Sequence, residues 1–124
     1  MFIRTPEDAA ALLSPMLAHG AKEVVVTAHL DSGQRLIAVT VGEPGECAAV
    51  DLPVRALLAM ALRVGADSVV VAHNHPSGDP TPSKADRAAT RALAKAAKVV
   101  GIRIHDHLIF AGEDYRSFLK LGLL

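Results

Sequence analysis

Aromatic residues are nearly missing from this chain: it has no Trp, one Tyr and three Phe in 124 residues. A surface of stacked rings for bases is therefore not expected, and the core has to be filled by Ala, Val, Leu and Ile. There is a single cysteine, Cys47, which excludes an intrachain disulfide and a multi-cysteine zinc site and is compatible with a reducing compartment. No basic residue adjoins it in sequence, so an inert thiol is expected. Charge of one sign is not in excess either, with 13 basic and 13 acidic residues. That balance removes the broad attraction to phosphate backbones or anionic membranes that a strongly basic domain has. Long apolar runs are absent too: stretches such as 57–62 fall far short of the ~18 residues of a membrane span. No cationic segment followed by an apolar one opens the chain. The expectation is a cytoplasmic protein with no membrane partner and with nucleic acid disfavoured.

What is present is the composition of a folded domain, 51% hydrophobic and 21% charged, far from the disordered corner. The length suits one domain over 1–124, since two would leave neither with a core. Thr5-Pro6-Glu7-Asp8 offers an N-cap, a proline at the first helical position and first-turn acids, which predicts a helix from there to His19, stopped by Gly20. Pro15 falls inside it and should kink or break it. Two runs rich in Val and Ile, 23–30 and 35–42, flank Asp31-Ser32-Gly33-Gln34 and read as an antiparallel hairpin. Residues 43–52 read as loop, 53–64 as a helix ended by Gly65, 68–73 as a strand covered on both faces, 83–100 as an Ala-rich helix, 102–110 as a strand and 114–121 as a short helix. The order α-β-β-α-β-α-β-α argues for an α/β fold, a mixed β-sheet flanked by helices.

The chemistry concentrates in Ala72-His73-Asn74-His75-Pro76-Ser77-Gly78-Asp79-Pro80-Thr81-Pro82-Ser83-Lys84-Ala85-Asp86. Residues two apart at a strand end project to one side, so His73 and His75 can offer two imidazoles to one ion. Asp86, one turn into the following helix, can add a carboxylate. Two imidazoles and a carboxylate suit zinc and leave a fourth position for water, the arrangement of a catalytic rather than a structural site. Hydrolysis also needs a carboxylate outside the ligand set to move the proton, and Ser83 is placed to supply a hydroxyl for an oxyanion. The same spacing, Ser83-x-x-Asp86, is close to a capping box. The two roles are compatible, because one residue can serve both through different atoms.

His73-x-His75, seven residues, Ser83, two residues, Asp86 is the signature of the JAMM (MPN) metallopeptidase domain, and the wording His-Asn-His-Pro-Ser-Gly-Asp-Pro-Thr-Pro-Ser resembles its RadC branch. The likeness continues through Asp106-His107-Leu108-Ile109 and Tyr115-x-Ser117-Phe118. It differs from the HNH nucleases, whose three residues are dispersed over a longer ββα element. The resemblance implies one zinc per chain held by His73, His75 and Asp86, Ser83 as oxyanion donor, and an upstream glutamate acting on the metal-activated water. Glu23, at the opening of the first strand, is the choice for that glutamate; Glu43 and Glu46 compete, and no spacing rule separates them. The implied activity is hydrolysis of a peptide or isopeptide bond in an unidentified substrate. The alternative is a non-catalytic MPN-type interaction module that meets DNA or a protein. RadC proteins usually carry a helix-hairpin-helix segment ahead of this domain, and the expectation from these 124 residues is a domain without it. Where the family commonly reads Pro-Arg-Glu this sequence has Pro53-Val54-Arg55, and 43–51 match poorly, so substrate choice is expected to differ.

His105 and His107 flank Asp106, two apart and on one side of a strand; an outer partner for a ligating histidine is a better expectation for Asp106-His107 than a second zinc. His19 and His29 read as surface or helix-end residues. Lys84, Arg87, Arg91, Lys95 and Lys98 recur every three or four residues and lay five charges along one helix face, read as a solvated face in preference to a nucleic-acid strip. Oligomeric state is not legible.

Overall fold

A computed structural model describes residues 1–42 and 52–124. Helix α1 (Pro6–Leu17) begins where the capping signal places it, with Thr5 and Asp8 exchanging side-chain and backbone bonds and Pro6 in the first turn. Contrary to expectation, Pro15 does not end it. Proline removes one N–H and crowds the carbonyl four residues back, but only the last turn lies beyond it. Leu13 and Leu17 on either side are buried and hold the segment against the sheet.

Strands β1 (Val25–Leu30) and β2 (Leu36–Val41) form the expected antiparallel hairpin. Helix α2 (Val54–Val64) ends at Gly65, whose φ of 73° is the left-handed cap conformation that glycine adopts without strain. Strand β3 (Ser68–Asn74) is buried along its whole length, helix α3 (Lys84–Val99) follows, and β4 (Arg103–Ala111) returns beside β3. The sheet order is β2-β1-β3-β4-β5. β3 pairs antiparallel with β1 and parallel with β4, so the sheet is mixed and β3 lies at its centre.

The last element differs from the expected helix over 114–121. Residues Asp114–Ser117 form an edge strand, β5, antiparallel to β4, after a tight turn in which Gly112 takes a φ of 60°. Tyr115 pairs with Phe110 across the two strands, their rings 5.6 Å apart, and only one helical turn follows, closed by Leu121 N–H to Ser117 O. Pairing with a neighbour, not local propensity, decides this segment.

Alternation along the strands builds two cores. Val26, Ala28, Leu30, Val70, Ala72, Leu108 and Phe110 face α1, while Val25, Val69 and Val71 face α2 and α3. The result is helix, sheet and helix in three layers. No described helix is long and apolar enough to cross a membrane.

His29, expected at the surface, is fully buried because it sits mid-strand on β1, opposite Val69 and Ala38. Its Nε2 meets Thr40 Oγ1 at 3.1 Å, and its Nδ1 has no hydrogen-bond partner. Burial lowers its pKa, so the folded protein holds it neutral. An unfolded chain takes up a proton at about pH 6.5 that the folded chain refuses, so this contribution is complete above that pH and is lost as pH falls toward the lower folded value. The urea midpoint should therefore drop between about pH 7.5 and 5.5, and should drop less in His29→Leu. An identical drop in both proteins would assign the dependence to other groups.

Candidate metal centre

The site lies at the C-terminal end of β3, where the central strand gives way to the loop before α3. His73 is the penultimate residue of the strand and is buried on the face covered by α2 and α3, opposite Val25. His75 follows beyond the strand end, anchored by its own N–H to Phe110 O at 2.7 Å. Asp86 comes from the first turn of α3, and its placement is a consequence of the cap. Ser83 Oγ accepts from Asp86 N–H at 3.0 Å and Asp86 Oδ2 accepts from Ser83 N–H at 2.8 Å. This capping box carries the carboxylate into the interior with no exposed surface.

The three side chains converge. His73 Nε2 and His75 Nε2 are 3.2 Å apart; they stand 3.4 Å from Asp86 Oδ1 and 3.2 Å from Asp86 Oδ2 respectively. All three ligand atoms lie within 4.8 Å of one another. The donor count then favours a cation. His75 Nδ1 lies 2.8 Å from the carbonyl of Asp79, which can only accept, so Nδ1 holds the proton and in the neutral ring Nε2 carries the lone pair. Asp86 Oδ1 is buried without a hydrogen bond, its approach to His73 lacking the alignment of one. Burial pushes the Asp86 carboxyl up, but the His73 imidazole beside it and the N–H of Ser83 outweigh this and keep the group ionised, well below the usual carboxylate range. An ionised carboxylate and a bare imidazole nitrogen facing one space, with no donor between them, is a set that a metal ion fits. His75 retains 13% of its side-chain surface exposed, whereas His73 and Asp86 retain almost none. Solvent therefore reaches the centre from the His75 side.

Glu23 is half-buried and lies two residues before β1. Val25 pairs with His73, so the residues that lead into β1 start from the sheet end at which His75 lies. It is not among the residues whose ligand atoms converge. The competing Glu43 and Glu46, and Cys47, lie outside the described residues. Ser83 is exposed beside the cap, and accepting from the backbone leaves its hydroxyl proton for another partner. His105 and His107 do not share a side. Val69 pairs with Ile104 and Val70 with Asp106, so His105 is an extra residue in the ladder and the alternation breaks there. His105 bonds to Arg4 O at 3.3 Å, whereas His107 turns inward, its Nε2 2.8 Å from His73 Nδ1. Asp106 accepts from Ser117 Oγ, His107 N and Leu119 N and ties down the residues after β5. Burial lowers the His107 pKa well below its ordinary value.

One participant had no signal in the sequence beyond its position. Asn74, between the two histidines, points to the opposite face and clamps the approach to β1. It accepts from Val24 N–H at 2.8 Å and donates to Lys22 O at 3.0 Å and Gly20 O at 3.4 Å. These bonds bracket Glu23. The five cations of α3 are all exposed, as expected. Arg91, Lys95 and Lys98 rim a groove of about 600 Å³ with Arg103, over Ile102, Ile104 and Leu123.

A family model described as a RadC-like JAB domain matches residues 3–123. The chain belongs to the RadC-like JAB domain family. A UPF0758 protein of Symbiobacterium thermophilum is 39% identical over 119 residues, which is 96% of this chain and 51% of that protein. A UPF0758 protein of Salinibacter ruber is 38% identical over 125 residues, 100% of this chain and 53% of its own length. A third, from Neisseria meningitidis, is 38% identical over 119 residues, 96% of this chain and 53% of its own length. The chain thus spans about half the length of the curated relatives it matches. The JAB/MPN assignment agrees with the mixed sheet and with a His-His-Asp cluster able to hold a metal ion.

The Asn74 clamp in this RadC-like domain yields a stability prediction. Asn74→Ala leaves the buried Val24 N–H and neighbouring carbonyls unpaired, at about 1–3 kcal/mol for each group left unsatisfied. Gly20→Ala should also destabilise, because an added Cβ would stand 2.9 Å from Asn74 Nδ2. Chemical denaturation of both variants checks this, and wild-type midpoints in both would remove the clamp.

Proposed function

We propose that this RadC-like JAB domain is a zinc-dependent hydrolase that cleaves a peptide or isopeptide amide bond. The observation that carries the reading is the meeting of two imidazole nitrogens and a buried carboxylate oxygen lacking a hydrogen bond, at a strand end that opens to solvent through His75. His73, His75 and Asp86 would hold the ion. Zinc, when bound, supplies a Lewis acid for the carbonyl and lowers the pKa of coordinated water to about 7. Glu23 takes the proton from the attacking water and hands it to the leaving nitrogen, which prevents return of the amine. The Ser83 hydroxyl donates to the oxyanion of the tetrahedral intermediate. The clamp from Asn74 supports the assignment of Glu23, since a general base has to be held within hydrogen-bond reach of the proton it moves.

A second reading, a binding module without hydrolysis, is favoured by the groove beside α3. Its floor is apolar and its rim cationic, which suits a protein segment bearing apolar and acidic side chains better than a nucleic acid, because none of the described residues that line it is aromatic and able to stack on a base.

Elemental analysis of purified protein tests the first reading: wild type should carry about one zinc per chain, with His73→Ala and Asp86→Ala each losing it. Glu23→Gln should keep the zinc and lower turnover of any amide substrate by roughly 10²–10⁴-fold. Zinc content that ignores His73 and Asp86, or full turnover in Glu23→Gln, contradicts the proposal.

A further inference from the structure

Behind His73 runs a closed circuit of buried polar groups. Thr90 Oγ1 lies 2.8 Å from the backbone carbonyl of Asp86 and 2.6 Å from His107 Nδ1. His107 Nε2 lies 2.8 Å from His73 Nδ1. His73 Nε2 faces Asp86 Oδ1, which returns the circuit to the residue where it began. Asp86, Thr90, His107 and His73 are each at most 1% exposed, so water does not compete for these bonds. Phe118 stacks on the His107 ring at a centroid distance of 4.6 Å and holds its plane.

Taking His73 as a ligand, as the preceding reading does, we propose that Thr90 and His107 are positioning residues that hold the proton of His73 on Nδ1 and so aim its Nε2 lone pair at the ion. The direction of the circuit follows from one atom that has no choice. The Asp86 carbonyl can only accept, and a hydroxyl has a single proton, so Thr90 gives its proton to Asp86 O. Thr90 Oγ1 then accepts from His107 Nδ1–H. A neutral imidazole with its proton on Nδ1 carries a lone pair on Nε2, and that nitrogen accepts from His73 Nδ1–H. His73 is left with a bare Nε2. Running the chain in the other direction would press two oxygen lone pairs together at 2.8 Å and put a proton where the ion belongs.

The fold explains why these four meet. Thr90 is one turn after Asp86 on α3, and the extra residue at His105 shifts the alternation of β4 so that His107, paired with Val71, lies on the face of His73. The backbone of one ligand thereby sets the tautomer of another.

Thr90→Val preserves shape and removes the hydroxyl, whereas Thr90→Ser keeps it. Zinc affinity measured by competition with a chromophoric chelator should fall about 10–100-fold in Thr90→Val and return to the wild-type value in Thr90→Ser. Long-range 1H–15N spectra of the zinc-loaded wild type should place the protons of His73 and His107 on Nδ1. Unchanged affinity in Thr90→Val, failure of Thr90→Ser to restore it, or a proton on Nε2 of His107 overturns the proposal while leaving zinc binding intact. If wild type takes up no zinc, the metal reading falls, and this one with it.

Discussion

A carboxylate with no exposed surface is the constraint around which this end of the molecule is arranged. An ion taken out of water costs several kcal/mol unless partners replace its hydration. Asp86 has some of those partners: the Ser83 N–H bonds to Oδ2, and two imidazoles stand within 3.4 Å of its oxygens. They do not complete the set, because Oδ1 has no hydrogen bond and His75 directs a lone pair into the same space. Positive charge at that point relieves the electrostatic imbalance. A bound cation would supply it.

The rest of the fold positions those three side chains. β3 supplies the rigid element, being central in the sheet and buried throughout. The Ser83 cap fixes where α3 starts and with it the carboxylate. Asn74, on the other face of the same strand end, holds the chain entering β1. His107 buttresses His73 from β4. One strand end therefore gathers His73, His75 and Asp86 on one face and, through Asn74 on the other, clamps the segment that carries Glu23, which makes the His-Asn-His order physically meaningful at each of its three positions.

Much of this was legible in the sequence because it is local. The two histidines lie two apart at a strand end, and the serine and aspartate lie three apart at a helix start; each pair is placed by its own element, and a loop rich in proline joins them. The helix caps at Thr5 and Ser83 were readable for the same reason. What was not legible depends on pairing between distant segments. The extra residue at His105 parts two histidines that simple alternation would keep together, and no local pattern marks it. The segment after Gly112 becomes a strand because Leu108 to Ala111 offer it an edge. His29 is buried because β1 turns out to be covered on both sides. Thr90 and Asn74 carry no motif; only the folded register shows that one meets His107 and the other Gly20, Lys22 and Val24.

The central claim is that His73 Nε2, His75 Nε2 and Asp86 Oδ1 bound a cation site. Anomalous diffraction at the zinc edge from crystals of the zinc-loaded protein addresses it directly. The account predicts one strong peak, about 2.0–2.2 Å from each of these three atoms, with the fourth position facing the His75 side. A peak bound through Nδ1 of either histidine, a peak elsewhere on the surface, or an ordered triad with no peak would contradict it.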